Sequence, residues 1–240
     1  MIGALQSIVF DFDGVIADSE PLHFRAFQQT LAEEGIALSP DDYYSRYLGY
    51  DDVGLFQALA TDRGIPLDAS RMSALLAAKG KRLEAMLEHG HVLFPGAEDF
   101  IRSAAAEVPI AIASGALRRE IVEITDAAAI GSLFTVIVAA GDTPQSKPSP
   151  APYLLAFEQL QLHTGHDLDP RRSVAIEDSQ WGLDSARGAG LRCVGLTNSY
   201  EANALQGAEL TVAGLDVLTL PALNHLCATD PHAADHTRNA

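Results

Sequence analysis

Cysteine is almost absent. Cys193 and Cys227 are the only two; they lack metal-ligand spacing, and Cys193 sits in an apolar run that predicts burial. That scarcity points away from a cysteine-built metal site and toward a reducing, cytoplasmic setting. Positive charge is also scarce. With 16 Lys and Arg against 32 Asp and Glu, the formal net charge is -16, which argues against nucleic acid or an anionic membrane surface as a partner. Long hydrophobic runs are missing too: the first apolar run is short and stops at Asp11, so no signal peptide, transit peptide or membrane span is expected. No internal repeat or low-complexity linker stands out. What remains is 240 residues with a 48% hydrophobic fraction, enough for one large domain or a core with a smaller partner.

The stretch around which the chain is organised is Ile8-Val9-Phe10-Asp11-Phe12-Asp13-Gly14. An apolar run closed by turn residues reads as a buried strand of a parallel sheet. Residues two apart in extended chain point the same way, so Asp11 and Asp13 can face one small volume. Two close carboxylates repel unless a cation or a shared proton relieves them. Hard oxygen ligands suit Mg²⁺, and a carboxylate can itself be a nucleophile that forms an aspartyl-phosphate. Taken alone, the motif fits equally well a strand ending in a polar turn, with Asp18 or Ser19 capping a helix. A calcium loop does not fit, because Gly14 falls too early and no glutamate completes the twelve-residue pattern.

Downstream, Glu20–Glu34 has helical spacing through Phe24, Phe27 and Leu31, and Gly35 stops it. Helices are expected over Asp41–Leu48, Asp52–Arg63 and Asp68–His89, broken at Gly49, Gly64-Ile65-Pro66 and Gly90. Then the pattern changes. Pro109–Ala113, Phe134–Ala140, Ser173–Ile176, Arg192–Leu196 and Glu209–Val212 are short aliphatic runs separated by helical stretches, which predicts a parallel α/β sheet. The opening strand belongs to that sheet. The expected organisation is an α/β core over 1–16 and 91–226, an all-helical insertion over 17–90, and a flexible tail over 227–240.

Polar residues gather just past the apolar runs: Asp11 and Asp13, Ser114, Glu177 and Asp178, then Thr197-Asn198. Ligands of open α/β sheets bind at that edge. Ser114-Gly115 precedes the helical run Leu117–Ala128, so it reads as an anion site or as a plain N-cap. Lys147, in Ser146-Lys147-Pro148-Ser149-Pro150, is a lysine on a loop stiffened by two prolines, able to pair with carboxylate or phosphate; a solvated loop lysine is the alternative. Ser149 and Pro150 read as the N-cap and first position of a helix running to Gln161. Glu177-Asp178 follows a buried aliphatic run, where unpaired charges are rarely tolerated. With Asp11 and Asp13 they would complete a cation site.

The four motifs Asp11-x-Asp13-Gly14, Ser114-Gly115, Lys147-Pro148 and Glu177-Asp178, in this order, resemble those of the haloacid dehalogenase-like hydrolase superfamily. Val15–His23 and Phe94-Pro95-Gly96 look like its branch of β-phosphoglucomutase and small phosphatases. The resemblance covers nearly the whole chain apart from the tail. It implies a Rossmann-like core, a helical cap inserted after the first motif, and a Mg²⁺-dependent phosphatase acting on a small phosphorylated metabolite. By position, Asp11 would be the nucleophile, and Asp13 the general acid and base. Asp11, the Asp13 carbonyl and Asp178 would hold Mg²⁺, with Glu177 a ligand or an orienter of metal-bound water. Ser114, Gly115 and Lys147 would neutralise the phosphoryl oxygens, the local positive charge that so acidic a chain needs.

Glu20, His23 and Lys79 are substrate-contact candidates in the cap, although Lys79 lies beside Lys81 and Arg82 and suits a solvated basic face. The second aspartate, Asp13, sets the chain apart from the dehalogenases. The mutases carry an arginine three residues past a cap glycine; if that glycine is Gly49, the position is Asp52, where an acid would repel a second phosphate. Trp181 also stands where the mutases suggest a small residue. The expectation is therefore a phosphatase, with a phosphosugar mutase and a catalytically silent phosphate-binding protein as rivals, and a monomer or weak dimer as the assembly.

Overall fold

A computed structural model describes residues 4–48, 50–87 and 92–229. The expected helix breaks at Gly49 and Gly90, and most of the expected tail, lie outside the described residues. The chain forms two compact units, one of residues 1–18 and 92–240, the other of residues 19–91.

The first unit is built on six parallel strands, β1 (Ser7–Phe10), β2 (Ile110–Ala113), β3 (Val136–Val138), β4 (Ser173–Glu177), β5 (Arg192–Leu196) and β6 (Leu210–Val212), in the order β3-β2-β1-β4-β5-β6. β1, β2, β4 and β5 are buried throughout. That explains their continuous aliphatic character, since a parallel sheet is covered on both faces. The expected strands recur: Arg192–Leu196 has the ends expected, Ser173–Ile176 gains Glu177, and the runs from 109, 134 and 209 lose one or two residues at one or both ends. Phe10 pairs in register with Ile112 on one side and Ile176 on the other. The carboxyl ends of β1, β2 and β4 are therefore level, and the polar residue after each emerges on one edge. From β1 the chain adds β2 and β3 on one side and only later β4 to β6 on the other, so the topological switch lies at the end of β1.

The second unit consists of helices α1 (Glu20–Glu33), α2 (Pro40–Asp42), α3 (Asp52–Arg63) and α4 (Ala69–Leu87). Its core joins Phe27, Leu31, Tyr43, Tyr47, Leu55, Phe56, Leu59 and Leu75. α3 begins where Asp51 accepts a hydrogen bond from the Gly54 N–H at 2.6 Å and ends at Gly64, whose φ of 62° is left-handed. The helix expected over Asp41–Leu48 is realised differently: α2 is one turn, capped by Ser39, and passes into a π-helical segment Tyr43–Tyr47. There the Leu48 N–H reaches back to the Tyr43 carbonyl, which seats Tyr43 against Phe24 and Phe27.

In the first unit the strands are flanked by α5 (Ala97–Glu107), α6 (Arg118–Ala127), α7 (Ala151–Thr164), α8 (Gln180–Gly188) and α9 (Leu220–Ala228). α9 carries helix two residues past the expected core boundary at 226. On one side of the sheet Phe10 meets Phe100 and Phe134 edge to face, with centroids 6.2 and 6.1 Å away. On the other, Val9, Ala111 and Ala175 pack with Tyr153, Ala156, Phe157 and Leu160 of α7 and with Leu183 of α8. The i, i+3, i+4, i+7 spacing on α7 lays one apolar stripe on the sheet. Full burial of each large side chain there contributes roughly 1.5–3 kcal/mol. Cys193 is buried as expected, its thiol pushed up to about 12 by burial and by Glu209. No described helix is long and apolar enough to cross a membrane.

Candidate active site

Beyond Phe10 the backbone continues the sheet for one residue, the Asp11 N–H bonding the Ile176 carbonyl at 2.9 Å. It then turns, with the Phe12 carbonyl accepting from the N–H groups of Val15, Ile16 and Ala17. Gly14 has φ 76°, and a Cβ there would lie 1.9 Å from Asp178 Oδ2 and 2.8 Å from Ser199 Oγ. Only glycine admits both the left-handed backbone and that carboxylate. Asn198 Nδ2 donates to the Gly14 carbonyl at 2.8 Å, tying the loop after β5 to the loop after β1.

Lys147 joins the acids. Its Nζ lies 2.8 Å from Asp11 Oδ1 and 2.6 Å from Glu177 Oε1, so it is not a solvated loop lysine. Ligand atoms of Asp11, Glu177 and Asp178, all three buried, come within 4.8 Å of one another. Three carboxylates against one ammonium leave an excess of negative charge in a dry place. Burial, followed by the fields of Glu177 and Asp178, pushes the Asp11 carboxyl well above the usual carboxylate range, against the pull of Lys147. Burial and Glu177 push Asp178 up to about 7, although a hydrogen bond from Ser199 and the charge of Lys147 oppose this. Burial alone would lower the Lys147 ammonium, but Asp11 and Glu177 raise it above its ordinary value. It stays charged. This donor set fits a small, hard dication, which takes oxygen ligands and would relieve the repulsion.

Ser114 is also at this edge. It is buried, its N–H bonds the Val138 carbonyl, and its Oγ accepts from the Ala116 N–H at 3.0 Å. α6 starts only at Arg118, with Leu117 in the capping position, so Ser114 is not the N-cap of that helix. A Cβ on Gly115 would meet nothing within 4 Å, which leaves its backbone approachable. Ser179 does cap α8, accepting from Gly182 N–H at 3.1 Å.

The remaining candidates are in the helical unit. Lys79, expected on a solvated face, is instead buried: Nζ sits 2.8 Å from Asp52 Oδ1, 2.9 Å from His23 Nδ1 and 4.8 Å from the Phe27 ring centroid. The cause is helical phase. Lys79 falls four residues after Leu75 and four before Leu83, the other two buried residues of α4, whereas Lys81 and Arg82 point elsewhere. Glu20 accepts from the Tyr43 hydroxyl. Asp52 is thus engaged with Lys79. Three residues near the acids escape sequence reasoning: Tyr153, Ser199 and Glu120. The last is buried on α6, with a carboxylate oxygen within 4.8 Å of one of Asp13. Tyr153 had a readable signal, since it starts the apolar stripe of α7 just after Lys147. Ser199 and Glu120 had none.

Residues 8–196 match the family model for haloacid dehalogenase-like hydrolases. The chain belongs to that family. It is thereby an enzyme of the hydrolase type, with the family's parallel core and helical insertion. Protein CbbY of Cereibacter sphaeroides is 35% identical over 201 residues, spanning 79% of this chain and 83% of the relative. Phosphoglycolate phosphatase of Yersinia pestis is 27% identical over 203 residues, 82% of this chain and 83% of its own. A crystal structure of a CbbY mutant from Rhodobacter sphaeroides in complex with xylulose-(1,5)bisphosphate superposes with a TM-score of 0.79 at 28% identity, covering 91% of this chain and 99% of that one.

Proposed function

We propose that this protein is a Mg²⁺-dependent phosphomonoesterase that hydrolyses a small sugar phosphate or similar metabolite through an aspartyl-phosphate on Asp11. The observation that carries the reading is the bridge from Asp11 to Glu177 through Lys147, with Asp178 alongside. A lone ammonium amid three buried carboxylates is a costly arrangement that serves phosphoryl transfer, where positioning and charge supply most of the catalysis.

An Asp11 oxygen attacks phosphorus, the ester P–O bond breaks, and Asp13 gives its proton to the departing alkoxide. Asp13 then takes a proton from water as that water attacks the phosphorus of the acyl phosphate. The P–O bond to Asp11 breaks, inorganic phosphate leaves, and the carboxylate is restored. Lys147 holds Asp11 in line and, with the Ser114 hydroxyl and the Gly115 N–H, meets the phosphoryl oxygens. Asp11, Asp178 and the Asp13 carbonyl would hold Mg²⁺, with Glu177 as a further ligand or as an orienter, and the ion supplies charge that offsets the transferring group.

Residues 17–90 act in this reading as a cap that closes over the substrate and restricts its size. Glu20, His23 and Lys79 are assigned to substrate contact on the family resemblance. The chemistry of the named relatives supports a sugar-phosphate class of substrate. The pairing of Lys79 with Asp52 favours hydrolysis over the mutase, because a lysine already matched by a carboxylate has less charge to offer a second phosphate. A cytoplasmic setting and a monomer or weak dimer complete the proposal.

The test is a panel of sugar and small-metabolite phosphates, with and without Mg²⁺, on the wild type and Asp11→Asn, following phosphate release and isomerisation separately. Release that requires Mg²⁺ and vanishes in the variant is expected. Isomerisation with little release would replace the phosphatase by the mutase. Phosphate binding without any turnover would leave a silent binding protein.

A further inference from the structure

Glu177 has so far been given two duties, metal ligand or partner of Lys147, and its hydrogen bonds decide between them. Oε1 accepts from Lys147 Nζ at 2.6 Å and from the Tyr153 hydroxyl at 2.9 Å. Oε2 accepts from the Asp178 N–H at 3.2 Å, the Ser179 N–H at 3.3 Å and the Ser179 hydroxyl at 3.0 Å. Five donors thus converge on two oxygens that offer about four lone-pair sites. The side chain is fully enclosed, and a Cβ on Gly182 would fall within 2.0 Å of three carboxylate atoms of Glu177. The first turn of α8 is therefore built against this group, and its rotation is blocked. Asp178 is less crowded: the Ser199 hydroxyl and its own backbone N–H are directed at its side chain.

Tyr153 is what completes the saturation. It is wholly buried on α7, six residues after Lys147, and its ring lies under the ammonium with the centroid 5.0 Å from Nζ. One side chain thus holds both ends of the pair, the hydroxyl on Glu177 and the ring face on Lys147. We propose that Tyr153 is a positioning residue which, with Ser179, saturates the oxygens of Glu177 and so commits that carboxylate to aiming Lys147 at Asp11. This rests on the phosphatase reading for its kinetic arm; the binding arms do not depend on it.

The variants are Tyr153→Phe, Glu177→Gln and Asp178→Asn, each checked for folding by circular dichroism. Phe keeps the ring and its volume, so only the hydroxyl is lost. Calorimetric titration with Mg²⁺ alone, then with inorganic phosphate at saturating Mg²⁺, separates the two duties, and p-nitrophenyl phosphate hydrolysis reads turnover. Tyr153→Phe and Glu177→Gln should bind Mg²⁺ within about threefold of wild type yet bind phosphate, and turn over, about tenfold or more less well, the usual size of an orienting partner's effect. Asp178→Asn should weaken Mg²⁺ binding by at least about tenfold. Loss of Mg²⁺ affinity in Glu177→Gln equal to that in Asp178→Asn would make Glu177 a ligand and overturn the proposal. Unchanged phosphate affinity in Tyr153→Phe would reduce that residue to core packing. If wild type binds Mg²⁺ and phosphate but releases none from any ester, the phosphatase reading fails while both binding arms still decide the roles of Glu177 and Tyr153.

Discussion

A carboxylate kept for a cation should cost stability whenever the cation is missing, and Asp178 allows that cost to be measured. Its carboxyl is pushed from 3.8 to about 7, first by burial and then by Glu177. The folded state therefore holds the proton more tightly than the unfolded chain. The associated stability is present in full below pH about 4, is lost as pH rises toward 7, and changes no further above that. Three pH units correspond to a ceiling of about 4 kcal/mol. Asparagine keeps an oxygen for the Ser199 hydroxyl but gives up the attraction of Lys147, so about half of the ceiling, about 2 kcal/mol, is the expected gain of Asp178→Asn at pH 8 in a chelator. For a chain of this length that raises the melting midpoint by about 4–8 °C. At pH 5 most of the difference should disappear, because wild-type Asp178 is then protonated in the fold. Saturating Mg²⁺ should reverse the order at pH 8: an ion at a hundred times its dissociation constant adds about 2.7 kcal/mol to whichever protein binds it, and the variant binds it poorly. Differential scanning fluorimetry over pH 5–8, with chelator and with Mg²⁺, reads all of this. A variant that melts at or below wild type in chelator at pH 8, or a gap that does not narrow at pH 5, would refute the reasoning.

Other outcomes follow from the same geometry. Lys147→Met strips the ammonium from Asp11 and Glu177 and leaves two buried carboxylates facing each other, so a loss of about 3–5 kcal/mol in denaturant unfolding is expected, together with loss of turnover. Lys79→Met removes an even more deeply buried side chain, but its partner Asp52 has 36% of its side chain exposed and can turn to water, so a loss of only about 1 kcal/mol is expected by the same measurement. Equal losses in the two variants would contradict this distinction. Gly14→Ala forces a left-handed alanine and drives a methyl into Asp178, so it should lose about 2 kcal/mol or more and weaken Mg²⁺ affinity in titration; wild-type affinity would show that the loop yields without disturbing Asp178.

The legible and illegible parts of this chain differ in physical kind. The strands of the sheet stood out because four of them are buried throughout, a state that favours a mostly aliphatic run, and because turn residues end each run. The same rule exposed Asp11, Glu177 and Asp178, since a carboxylate directly after such a run breaks the pattern at the edge where the strands finish. Local pattern does not report what lies across a crevice. Lys147 and a solvated lysine look alike in sequence, and only the return of α7 onto Val9 brings that ammonium to Asp11. The π-helical turn at Tyr43–Tyr47 was hidden for the same reason, since aromatic packing with Phe24 and Phe27 rather than propensity sets its phase. Lys79 was a misreading of a readable signal: its spacing from Leu75 and Leu83 marked the buried face of α4, while the adjacent charges suggested water.

Glu177 and Asp178 show how far two neighbouring acids can diverge. Glu177 ends β4 and Asp178 follows it, both are buried, and composition gives no reason to separate them. One residue's step along the strand end turns them to opposite sides. Glu177 faces α7 and the first turn of α8, where Tyr153, Lys147 and Ser179 exhaust its oxygens, whereas Asp178 faces Gly14 and Ser199. Burial and then the field of Glu177 push the carboxyls of Asp178 and Asp11 up. On the reading proposed above, a fold that saturates one acid with donors and gives its neighbour fewer divides the labour between them: the first fixes a lysine, and the second takes the cation.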